Sequence, residues 1–223
     1  LYVGGYRQFV EHPDQILARS NQALQTLSRY RGRLREATAR LSSLEVQDEV
    51  TLRDVVLVAQ RLTMVDRLTE EISAYVVQLG VDGRLVSLQL YEMTVGVTEL
   101  HSLLERDYQS PDHGFSLAGL ASLSTADLLN PVAVAAGLGF DPAEPLETPL
   151  TGRGYRQLAQ ITQIPATLSD RLIEHFGGLQ QLFAASIADL REVEGVGAGR
   201  ALVIRDGLER LADASYLELA TDT

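Results

Sequence analysis

Leu17, Leu24, Leu27, Leu34, Leu41 and Leu44 recur at intervals of 7, 3, 7, 7 and 3, the spacing of a helix that buries one narrow seam. The pattern predicts a long amphipathic helix over 14–44. Arg29, Arg31, Arg33, Arg35 and Arg40 occupy its other faces; a solvated face explains that run, and phosphate contact is the sharper alternative. Thr51 and Asp54 then have the spacing of a capping box. They open a second helix through Val55, Val58, Leu62, Val65, Leu68, Ile72, Tyr75 and Leu79, which Gly80 ends. A third helix is predicted from Arg84 to Ser110, with Leu85, Leu88, Val95, Leu103 and Leu104 toward the core and Gly96 inside it. Short connections between long helices imply antiparallel neighbours, hence a three-helix bundle over 13–140. Ser116–Leu123 and Thr125–Gly137 read as two shorter helices on its end.

Periodicity weakens at Asp141–Pro149, where three prolines and three acids fall in nine residues, and a semi-rigid acidic linker is predicted over 141–150. Beyond it, Gly154–Gln163, Leu168–Phe176 and Leu179–Ala185 read as helices, with Ile164-Pro165 as a turn. Ser186 and Asp189 form a second capping-box pair ahead of a short helix to Val193. Gly195-Val196-Gly197 follows, and Ala201, Ile204, Leu208 and Leu211 announce another helix from about Ala198. Glycine on both sides of the turn permits positive φ and a close backbone approach. The free amides and positive dipole end of the following helix suit a phosphate.

Gly195, Val196, Gly197, Ala198, Gly199 and Arg200 are therefore candidate DNA-binding residues, with Val196 anchoring the turn. Ile164 and Pro165 mark a weaker, degenerate second hairpin, which makes 151–216 a paired helix-hairpin-helix with 217–223 as a tail. A plain tight turn between helices is the bland alternative. At the other end, Leu1-Tyr2-Val3 and Tyr6–Val10 flank Gly4-Gly5. They predict a β-hairpin over 1–12, read as the end of a preceding domain, so that the chain is a fragment.

Composition changes this picture in two places. The net charge of −11 argues against a broad DNA-binding face. Residues 151–216, however, hold seven arginines against eight acids, or −1. A hairpin that binds through backbone amides needs few cations, at the cost of weak binding per copy. Every one of the 19 basic residues is arginine and there is no cysteine, which removes disulfides, thiolate zinc sites and lysine-dependent phosphate loops. The four histidines, His12, His101, His113 and His175, share no ligand spacing. No catalytic or metal site is predicted, and no membrane span.

Six blocks resemble one family: Asn21–Leu27, Val50–Val55, Gln60-Arg61, Leu79–Val86, Arg153–Leu158 and Gly195–Ile204. Together they resemble the DNA-integrity-scanning diadenylate cyclases, the DisA family, over essentially the whole chain. That resemblance implies an all-α spine and a C-terminal paired helix-hairpin-helix, with Arg153 and Arg156 added as DNA contacts. It also implies an N-terminal cyclase domain, absent here, that condenses two ATP to cyclic di-AMP with Mg²⁺ or Mn²⁺. The fragment itself is then no enzyme. The implied partners are branched DNA, further copies in an octamer, and recombination and repair proteins; the implied location is the cytoplasm, at the nucleoid. Thr162-Gln163 stands where the family often has Pro-Arg, which removes a cation from the first hairpin, and Gly152 replaces a usual proline. A structural, oligomer-spacing module with vestigial DNA binding is the alternative function.

Overall fold

The computed structural model describes residues 12–109 and 114–221, with side chains as far as Ser215. The expected β-hairpin over 1–12 lies outside the described residues except for its last position. The rest is all-α as expected: among the described residues the sole β feature is an isolated antiparallel bridge between Thr51 and Pro149. The helices are α1 (Pro13–Gln47), α2 (Leu52–Leu79), α3 (Arg84–Thr94), α4 (Val97–Tyr108), α5 (Thr125–Leu128), α6 (Pro131–Gly137), α7 (Tyr155–Leu158), α8 (Ala166–Phe176), α9 (Leu179–Ala184), α10 (Ile187–Leu190) and α11 (Ala198–Thr221).

They form two compact units, Leu1–Gly32 with Met64–Val95, and Arg33–Thr63 with Gly96–Thr223. In the first unit, Ile16, Ala23, Leu24, Leu27, Val65, Ile72, Val86 and Leu90 are buried. Leu17, expected in the seam, is 37% exposed and Ile16 takes its place. The predicted third helix is two helices. Gly96, at φ +80°, starts α4 in the left-handed region, so it interrupts the helix and does not continue it. No atom lies within 4 Å of where its Cβ would stand, so it marks no helix crossing. Leu85, Leu88 and Val95, assigned to the core, are 67%, 55% and 58% exposed, because α3 buries the opposite side through Val86 and Leu90.

In the second unit, α1 contributes Leu34, Ala37 and Leu41 and α2 contributes Val55, Val58 and Leu62, all buried. Thr51 opens α2 with half of the expected capping box: its amide and hydroxyl both donate to Asp54 Oδ2, at 3.0 and 2.5 Å, while the Asp54 amide donates to Thr51 O. The predicted Thr125–Gly137 helix is broken, since Asn130 caps α6 and Pro131 occupies its first turn. The acidic Pro-rich segment, expected as a semi-rigid linker, is hydrogen-bonded to the start of α2. Leu52 N donates to Thr148 O, Arg53 N to Leu146 O and Leu150 N to Val50 O, and Arg53 pairs with Glu147. The segment therefore lies strapped on the start of α2, within one compact unit. Gly154–Gln163 is helical only over α7, and the expected tail continues α11 to Thr221.

Candidate nucleic-acid interface

Residues 154–176 and 186–208 are two copies of one arrangement, offset by 32. Leu158 and Leu190, Ile161 and Val193, Leu172 and Ile204 are all buried and share one core with Val196, Ala201 and Leu208. The backbone repeats as well. Ile161 N donates to Leu158 O and Val193 N to Leu190 O, while Ser169 N donates to Pro165 O and Ala201 N to Gly197 O. Gln163 and Gly195 occupy the same place in the two turns, both left-handed, at φ +74° and +88°. One half thus holds this conformation with glycine and the other with a side chain that strains it.

The second turn is built to turn its amides outward. Val196 is buried and its amide donates to Val193 O at 3.0 Å, which fixes the turn to the core as expected of an anchor. The two carbonyls that precede Val196 are held by cations: Arg171 Nη1 donates to Glu194 O at 3.1 Å and Arg200 Nη1 to Gly195 O at 2.6 Å. The first backbone bond of α11 comes from Ala201, so the amides of Ala198, Gly199 and Arg200 precede the helical ladder. All three residues are exposed, as is Gly197. Gly197 differs from expectation: its φ is not positive, and a Cβ there would meet nothing within 4 Å. Its value is openness, and the positive φ belongs to Gly195.

The two turns meet at a depression of about 350 Å³ lined by Gln163, Ile164, Gly197, Gly199, Arg200 and Val203. Five of the expected residues thus converge: Ile164, Gly197, Gly199 and Arg200 line it, and Ala198 lies between two of them. Pro165 is exposed beside Ile164. Helix α11 packs closely on the Ile161 side chain at Gly207, where a Cβ would stand 2.6 Å from Ile161 Cγ2. Arg171, at the second turn, was not singled out in the sequence; its position on α8, 23 residues from Glu194, leaves no local signal.

Arg153 and Arg156 do not join the depression. Arg153 is exposed, 5.4 Å from the Tyr155 ring centroid. Arg156 is 5% exposed and unavailable to DNA. Its Nη1 donates to Glu45 Oε1 at 2.6 Å and its Nη2 to Thr38 O and Ser42 Oγ, both at 3.1 Å. Burial pulls its pKa down, yet Glu45, Tyr108 and Asp107 together hold it above the ordinary arginine value. Arg156 is the pin of a buried polar joint. Glu45 also accepts from the Tyr108 hydroxyl at 2.7 Å and from Gln157 Nε2 at 2.8 Å. Asp107 accepts from the amides of Gly154, Tyr155 and Arg156 at 2.7, 2.6 and 2.9 Å. Burial, then the Glu45 charge, pushes the Asp107 carboxyl up to about 7 against those amides and the Arg156 guanidinium. The arginines of α1 are partly engaged too: Arg31 donates to Val95 O and Arg40 lies 3.9 Å from Asp54.

Known proteins supply a frame for this geometry. A family profile described as the DisA bacterial checkpoint controller linker region matches residues 10–146. The chain is 48% identical over 225 residues to the DNA integrity scanning protein DisA of Acidothermus cellulolyticus, covering 98% of this chain and 61% of that protein. It is 49% identical over 226 residues to that of Streptomyces coelicolor, with 98% and 60% covered. The Kineococcus radiotolerans protein of the same name gives 48% over 225 residues, with 98% and 62%. The chain therefore spans about three-fifths of the length of these relatives.

Proposed function

The chain belongs to the family of the DNA integrity scanning protein DisA, and from that premise we propose that residues 151–216 are a paired helix-hairpin-helix that holds branched or distorted DNA by its phosphates. The observation that carries this reading is the shared depression. It sets the free amides of Ala198, Gly199 and Arg200 beside a second turn of the same build. An oxyanion at that helix start gains backbone hydrogen bonds and the helix dipole, with Arg200 and Arg171 supplying charge. Contacts of this kind position the backbone and read no bases, which suits recognition of DNA shape. The helices of 13–140 serve as a spine, and in the longer relatives DNA occupancy is relayed to synthesis of cyclic di-AMP from two ATP.

Among the described residues no group of three or more histidines and carboxylates is placed to hold a metal ion. No helix there is long and apolar enough to cross a membrane. The test is a gel shift of the 223-residue chain with a four-way junction and a linear duplex of equal length. Tighter binding to the junction, falling with salt, is expected. Equal failure on both would favour the alternative reading, a module that spaces subunits.

A further inference from the structure

The described residues carry one concentrated apolar surface that the DNA reading does not use. Val81, Leu85, Leu88, Tyr91 and Val95 are 70%, 67%, 55%, 70% and 58% exposed, on α3 and its two flanks. At about 100° per residue, Leu85, Leu88 and Tyr91 form one stripe, opposite the buried Val86 and Leu90. Exposed apolar side chains scattered singly need no explanation; a contiguous stripe of them does.

The stripe is symmetric in sequence about Leu88. Arg84 and Glu92 lie four residues to either side, Leu85 and Tyr91 three, and Val81 and Val95 seven. We propose that this face of α3 is an interface between two copies of the chain, with the helices antiparallel about a two-fold axis at Leu88. In that arrangement each residue meets the one equally far on the other side of position 88. Leu88 packs on Leu88 of the second copy and Leu85 on its Tyr91. Arg84 meets Glu92 twice, once on each side of the axis. Arg84 and Glu92 are both exposed and neither forms an ion pair among the described residues. A shift of one helical turn either way sets Arg84 or Glu92 against Leu88 of the second copy, whereas this register pairs both charges, so the charge pattern favours a second copy in this register as the occupant.

Sedimentation equilibrium of the 223-residue chain across about 1–100 µM tests the proposal. A reversible monomer–dimer equilibrium is expected. Leu88→Asp places two carboxylates face to face on the axis and should raise the dimer dissociation constant at least about 100-fold. Arg84→Glu and Glu92→Arg should each raise it about tenfold, and the double exchange should restore it, because both pairs are then rebuilt with reversed sign. All three residues are exposed, so the variants should keep wild-type helicity by circular dichroism. A wild-type chain that stays monomeric assigns the stripe to a different partner and overturns the proposal. A dimer indifferent to Leu88→Asp overturns it equally, as does a double exchange no better than either single one.

Discussion

The two halves of the terminal module share a backbone and differ in who satisfies it. The second half closes its own helix cap. Ser186 and Asp189 close their own capping box, and Gly195 adopts its left-handed φ without strain. The first half borrows: Asp107 of α4 caps the amides of residues 154–156, and Arg156 reaches Glu45 of α1. At the equivalent position, 32 residues on, stands Ala188. One frame thus yields a half that is seated in the rest of the protein and a half that is open to solvent. The difference separates holding the module from using it.

Breaking the seat should have the largest effect. Arg156→Ala leaves the buried Glu45 carboxylate without its cation, and about 3–5 kcal/mol of stability should be lost in urea unfolding. Whatever fraction stays folded should bind junction DNA with unchanged affinity; a selective loss of binding would return Arg156 to the interface. Breaking the open half should do the reverse. Gly197→Val has room for its side chain and no positive φ to oppose it, so the thermal midpoint should barely move. Junction affinity should fall at least about tenfold, read by fluorescence anisotropy. Unchanged affinity would move the DNA site away from the second turn.

A pH series sharpens the contrast, because the two capping carboxylates shift in opposite directions. Hydrogen bonds from Ser186 lower Asp189, whereas burial raises Asp107 to about 7. An unfolded aspartate titrates near ~3.9. Between there and about 7 the native chain keeps a proton on Asp107 that the unfolded chain has released. The contribution of Asp107 therefore declines as pH rises through that window and is level above it. Asp107→Asn cannot titrate, so the wild type's stability advantage over this variant should shrink from pH 5 to pH 8 in urea titrations. An advantage that grows with pH would mean Asp107 is ionised throughout. The smallest effect should come from Gln163→Gly. It removes a side chain from a left-handed position and should gain at most about 1 kcal/mol in thermal unfolding. Any loss would show that the Gln163 side chain holds the first turn.

What could be read in the sequence was what lies within a few residues. The Ser186–Asp189 cap, the end of α2 at Gly80 and the anchoring role of Val196 all depend on spacings of four or less. What was missed depends on distant partners. Asp107 caps amides 47 to 49 residues away, and Arg156 finds Glu45 at a separation of 111; neither leaves a local trace. The core face of α3 was ambiguous for another reason. Leu85 and Leu88 compete with Val86 and Leu90 on the opposite side, and periodicity weighs the two sides equally. The break at Asn130-Pro131 did carry its signal, a cap followed by proline at the first helical position. The DisA resemblance extended the reading to cyclic di-AMP without placing it on a residue, and of the two arginines it added as DNA contacts, Arg156 is buried.

The contact between Gly207 and Ile161 works as a mechanical stop. Helix α11 meets the Ile161 side chain at Gly207 with no side chain of its own between them, so the helix stands as close to the approach of the first turn as the Ile161 methyl groups allow. On the proposed DNA reading, this close packing sets two phosphate-binding turns at one preferred spacing. Two strands spaced to match would be gripped at both points, and strands spaced otherwise at only one.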